Sequence, residues 1–126
     1  MKYFILLCMI FCHIVDDYYL QGILASMKQK SWWEQNAPDK LYRYDYIMAL
    51  FMHAFSWSFM IMLPIVVYMY CQQLQFNTWT IGIYILNMVI HAVVDNQKAN
   101  RKTINLIQDQ SIHLAQIILT WITVMC

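Results

Sequence analysis

Residues 13–21 read HIVDDYYLQ and close a run, KYFILLCMIFC (residues 2–12), that is otherwise apolar enough to lie in a lipid bilayer. Ionisable side chains inside a membrane are costly and concentrate at functional positions, so the solvent of this stretch decides its meaning. Of 126 residues, 61% are hydrophobic and 12% charged, and only two are glycine. A soluble domain of this size needs more polar surface than that. From Tyr46 to Val94 there is no Asp, Glu, Lys or Arg, a stretch of about fifty residues where a single crossing needs about twenty. The composition therefore predicts an all-α polytopic membrane protein. A net charge of +1 with no basic stripe excludes nucleic acid as a partner.

Charges and turn residues divide the chain into four apolar segments, residues 3–27, 46–71, 78–96 and 106–126, within a single membrane domain, 1–126. In lipid every backbone polar group must be satisfied internally, and none of the four runs alternates with period two. All four are thus predicted to be helices of a transmembrane bundle. Asn77 and Asn105 are placed to cap the helices that follow them, Asn105 with Gln108 three residues on. Pro64 is expected to bend the second helix without ending it. CMIFCH offers no small residues for signal-peptide cleavage, so the first segment is kept as a true helix.

Lys28, Lys30, Lys40 and Arg43 fall in the first connection and Lys98, Arg101 and Lys102 in the third, whereas the second has no cation. The positive-inside tendency then puts both termini on the non-cytoplasmic side. Trp32, Trp33, Tyr42, Tyr44 and Tyr46 read as an interfacial aromatic belt. The membrane expected is a bacterial inner membrane.

With this topology the histidines fall at one depth. His13 and Asp17 lie four apart, so they share a helix face, with Asp17 one turn, roughly 6 Å, nearer the cytoplasm. HAVVD repeats the arrangement with His91 and Asp95 on a helix running the same way. DQSIH reverses it with Asp109 and His113 on a helix running the opposite way, which restores the same spatial order. His53 falls near this histidine layer, although Ala49 stands where a fourth aspartate would be expected. All four histidines of the chain are accounted for. A structural alternative is that each pair merely hydrogen-bonds neighbouring helices, Asp109 also favouring the start of its own.

Imidazole and carboxylate without cysteine at the same level are ligands for zinc, iron or manganese. His13, Asp17, His53, His91, Asp95, Asp109 and His113 are the candidate metal ligands for one or two divalent ions. Two ions would share a bridging carboxylate; one would be held by histidines oriented by the aspartates. A metal-free proton relay is a further reading of the same residues.

HIVDDYYLQ, the isolated His53, HAVVDNQK and DQSIHLAQ, in that order over nearly the whole chain, resemble an uncharacterised family of small bacterial and phage membrane proteins, domain of unknown function 3307. The resemblance implies that His13, Asp17, Leu20, Gln21, His53, His91, Asp95, Lys98, Asp109, Gln110 and His113 are signature positions. It implies little about activity. Where that family has a small residue followed by Asp-Phe, this chain has Asp16, Asp17 and Tyr18, and the spacing from His13 favours Asp17.

Three functions follow. The first is a metal-dependent hydrolase of a membrane lipid or lipid-linked phosphate or ester at the cytoplasmic leaflet, with Asp95 or Asp109 as base and Lys98 steadying an anionic substrate. No Ser or Cys suits covalent catalysis, Ser56 and Ser111 being the nearest, so water would be the nucleophile. The second is a metal-braced accessory protein that binds another membrane protein, as between phage and host. The third, a metal or proton pathway, is disfavoured because ionisable groups stop at mid-membrane. On sequence alone, Asp95→Ala is expected to keep the fold and lose activity. Cys8, Cys12, Cys71 and Cys126 map to the outer half as apolar filler, and ten methionines at irregular spacing read as core packing.

Overall fold

The computed structural model describes all 126 residues, Met1–Cys126, and is helical with no strand. Its α-helices are α1 (Lys2–Val15), α2 (Leu24–Met27), α3 (Lys30–Asn36), α4 (Asp45–Cys71), α5 (Thr78–Asn96) and α6 (Leu106–Met125). The four long ones form a ring in which α1 and α5 each pack against α4 and α6. Sequential helices run antiparallel, so the two chain ends lie together: Lys2 Nζ donates to the Met125 carbonyl at 2.6 Å and Trp121 Nε1 to the Lys2 carbonyl at 3.0 Å.

Three stretches, Lys2–Leu20, Lys40–Cys71 and Thr78–Arg101, are long and apolar enough to cross a membrane. The fourth predicted span, α6, has 20 residues, about 30 Å of helix. Its apolar character is diluted by Gln108, Asp109, Gln110, His113 and Gln116. Asn77 and Asn105 cap as the sequence suggests, each accepting from the backbone N–H three residues on, and Gln108 returns its side chain to Asn105 N to complete a capping box. α4 continues through Pro64.

The first segment departs from expectation, because it is not one helix to Met27. After Val15 the backbone widens into a π-helical turn, Asp16–Leu20, and Gly22 then takes a left-handed φ of 50° that turns the chain into α2. Glycine accepts that conformation without a Cβ clash. In the run GILASM only Gly22 itself marks the break, since the residues after it are as apolar as the helix before. α5 ends similarly, in a π-helical turn over Gln97–Arg101 that stops at Lys102, φ 53°. Single π-helical turns inside helices are rare and occur often at functional sites. Here the first contains Asp17 of the His13–Asp17 pair, and the second begins two residues after Asp95 of the His91–Asp95 pair.

The bundle interior divides by depth. Near the chain ends, Ile5, Met9, Trp57, Ile61, Ile65, Ile117 and Trp121 form the apolar core. Beside it α5 and α6 are joined by a buried amide network that the sequence did not reveal: Asn87 Nδ2 donates to Thr120 Oγ1 at 2.8 Å, and Gln116 Nε2 to Asn87 Oδ1 at 2.9 Å. Below that lie the histidines. The outward faces keep large apolar side chains such as Phe4, Leu7, Phe11, Phe55, Leu86 and Leu119 exposed, the inverse of a soluble bundle.

Candidate metal centre

Each long helix delivers one histidine to a single dry layer. His13, His53, His91 and His113 are 0–2% exposed, and Asp16, Asp17, Asp95 and Asp109 are 0–8% exposed. α1 brings His13 inward on the stripe Ile5, Met9, His13, a residue every fourth position. The π-helical turn that follows buries two consecutive residues, Asp16 and Asp17, where an ordinary strip would bury one.

The in-helix pairs are in contact: His13 Nδ1 is 3.5 Å from Asp17 Oδ2, His91 Nε2 is 3.8 Å from Asp95 Oδ1, and His113 Nε2 is 3.3 Å from Asp109 Oδ1. The contacts between helices are as close. His53 Nε2 lies 3.3 Å from both Asp17 Oδ1 and Asp95 Oδ2, and 3.1 Å from His91 Nε2. On the other side His91 Nδ1 is 3.2 Å from His113 Nδ1, and His113 Nε2 is 3.4 Å from Asp95 Oδ1.

Two groups thereby converge, Asp17–His53–His91 and His91–Asp95–His113, each with its ligand atoms within 4.8 Å of one another. They share His91, and the two oxygens of Asp95 face different histidines. Ligand bonds near 2.0–2.1 Å in a tetrahedron set neighbouring donors about 3.3 Å apart. The separations of 3.1–3.3 Å among Asp17 Oδ1, His53, His91 and His113 Nδ1 match that edge. Asp17 Oδ1 is buried without a hydrogen-bond partner, which fits a donor directed at an ion. These buried His/Asp groups could hold a divalent metal.

His13 and Asp109 stand outside both groups. Trp57 Nε1 donates to His13 Nδ1 at 2.8 Å, and indole N–H is donor only, so that ring nitrogen is an acceptor. The proton is then on Nε2, 3.1 Å from Gln110 Oε1, and both His13 nitrogens are used. Asp109 Oδ2 accepts from Lys98 Nζ at 2.6 Å and from Gln110 Nε2 at 3.0 Å, while Oδ1 faces His113. Asp109 is therefore a carboxylate behind a histidine, the arrangement that fixes a ligand's tautomer. Lys98 is engaged with it rather than free at the membrane surface.

Several participants lie outside the ligand set expected from the sequence. Lys28, at the end of α2, reaches across the fold to place Nζ 2.6 Å from Asp95 Oδ2. Asn100 holds the segment in place, donating to the Lys28 carbonyl at 3.0 Å and accepting from Lys30 N at 2.7 Å. Asp16 accepts from Ser56 Oγ at 2.6 Å, and its other oxygen is 3.8 Å from His53 Nδ1. Trp57, one turn beyond His53, stacks on His91 with centroids 4.1 Å apart and roofs the site. The spacing of Trp57 from His53 was the one available signal; a loop lysine sixty-seven positions from its partner offers none. Ala49 is buried with no ionisable partner to add, and Asp45 stays exposed.

The chain matches no protein-family model, no curated protein and no solved structure.

Proposed function

We propose that this chain is a four-span integral membrane protein, both termini on the non-cytoplasmic side, whose His/Asp centre binds one or two divalent metal ions and hydrolyses a lipid or lipid-linked phosphate or ester at the cytoplasmic leaflet. The observation that carries the metal is charge. Four buried carboxylates face two ammonium groups, those of Lys28 and Lys98, leaving two negative charges when the imidazoles are neutral. Unpaired buried charge is expensive, and one divalent cation removes the surplus.

Asp17, His53, His91, Asp95 and His113 would hold the ion, with Asp16 and Asp109 behind His53 and His113. A bound metal supplies an activated water and charge stabilisation at the reacting oxygen. Asp95 is the carboxylate that also lines the open cleft, which places it to take the proton of a water entering there. Lys28, Lys98 and the neighbouring opening supply an approach from the polar end. Gln21 and Gln110, two of the positions that the resemblance marks, both lie around Asp17: Gln21 Nε2 donates to the Asp17 carbonyl, and Gln110 Nε2 lies 3.3 Å from Asp17 Oδ2.

One feature favours a second reading, a metal-braced accessory protein: the candidate ligands come from four different helices, so an ion would tie the bundle together. Elemental analysis of the purified chain tests the metal common to both. One to two equivalents of zinc, iron or manganese are expected, and a content near zero overturns both readings.

A further inference from the structure

A cleft of about 490 Å³ opens beside the site at the end of the bundle away from the chain termini, between α2 and the turn after α5. Its lining includes three lysines, Lys28, Lys98 and Lys102, and one acid, Asp95. Lys28 has a side chain only 12% exposed and is held by Asp95. Lys102 is exposed, makes no ion pair and sits on left-handed backbone that aims the chain's reversal at the cleft.

Asp95 is also a member of a candidate metal group, and there lies the consequence. An ion at Asp95 draws the carboxylate's charge away from Lys28 and adds positive charge beside it. A largely buried ammonium deprived of its partner requires another anion. We infer that this cleft binds a phosphate group, Lys28 exchanging the Asp95 oxygen for a phosphate oxygen as metal binds; the inference rests on the metal centre proposed above and names the substrate of that site as a phosphate ester rather than a carboxylic ester. Three ammonium groups converging on one opening suit a multiply charged anion with three free oxygens, and lysine serves phosphate as a compact point charge. The phosphate would belong to a lipid headgroup or to a soluble phosphate, and the same chemistry recognises both.

Two ligands that favour one another must do so reciprocally. Inorganic phosphate binding to the full chain in nanodiscs of phosphatidylcholine is therefore measured by calorimetry with zinc and with chelator. Zinc should tighten phosphate binding about tenfold, within the usual range of coupling between sites. Lys28→Gln should abolish the gain. Lys102→Asn, which keeps the left-handed backbone at an exposed position, should weaken phosphate binding about threefold with zinc content unchanged. Phosphatidic acid in the disc raises the apparent phosphate Kd if a lipid headgroup is the source and leaves it unchanged if a soluble phosphate is; either supports the cleft. A chain that takes up no zinc overturns the metal centre and the coupling with it. A chain that takes up zinc with no gain in phosphate affinity, or with both lysine variants unaffected, overturns the cleft assignment alone.

Discussion

Trp57 Nε1 donates to His13 Nδ1 across 2.8 Å, and this one bond separates the four histidines into three that face the candidate metal groups and one that supports them. His13→Gln should therefore leave metal stoichiometry as in the parent, whereas His91→Ala, which removes the residue common to both groups, should lower it by at least one equivalent. Elemental analysis of the two variants side by side checks this; equal loss from both would return His13 to the ligand set.

Trp57 also covers His91, so its bulk and its N–H separate cleanly. Trp57→Phe keeps most of the stacked surface and forfeits one hydrogen bond, about 1 kcal/mol. Trp57→Ala leaves a void in the driest part of the bundle, about 3–5 kcal/mol. Thermal unfolding in detergent should order the parent, Phe and Ala variants accordingly, the Phe variant retaining its metal.

The amide network higher in the bundle should matter for stability and not for the site. Asn87→Ala removes the group that joins Thr120 and Gln116, and hydrogen bonds between membrane helices contribute about 1 kcal/mol. A drop of that size in unfolding free energy with metal content unchanged is expected. Loss of metal in this variant would mean that the two layers are coupled.

Much of this architecture was legible because hydrophobic periodicity and charge placement are local properties. Asn105 with Gln108, the four-residue His/Asp spacings and the opposed order in HAVVD and DQSIH fix helix faces and depth before any coordinates. Gly22 is the one local sign of the break, and the run ILASM after it is as apolar as the helix before; the π-helical turn after Val15 was not legible, since such a turn has no composition of its own. Nor was Lys28, whose relation to Asp95 exists only once Gly22 reverses the chain and Asn100 pins it. Spacing makes His13 a candidate ligand because it reports a shared face, and it says nothing of the Trp57 and Gln110 groups beside its nitrogens.

Metal removal should be readable as stability. An ion that binds only the folded chain stabilises it by about 4 kcal/mol at a thousandfold excess over Kd, so a chelator should lower the melting temperature and added zinc should restore it. The ligand imidazoles must be neutral to bind, so the stabilisation is lost as pH falls and protons compete with the ion. A melting temperature indifferent to chelator at pH 8 would count against a bound metal.

The last prediction concerns Asp95, which sequence alone makes dispensable for folding. Its contact with Lys28 changes that expectation. In Asp95→Ala the ammonium loses a 2.6 Å partner, and hydrogen bonds between charged groups contribute about 2–3 kcal/mol. Lys28 borders the open cleft, so an anion from solution can take the vacated place, and the loss should not reach the larger cost of a trapped charge. Asp95→Ala should thus be folded and extractable, and measurably less heat-resistant than the parent. Lys28→Met combined with Asp95→Ala removes both charges and should recover most of the difference, a coupling that a double-mutant cycle reads directly. Catalysis behaves differently from stability in this cycle. If Asp95 is the base, hydrolysis of a phosphate ester falls at least about a hundredfold in the single variant and stays lost in the double. Activity that returns together with stability would show that Asp95 braces the bundle and that the proton is taken elsewhere.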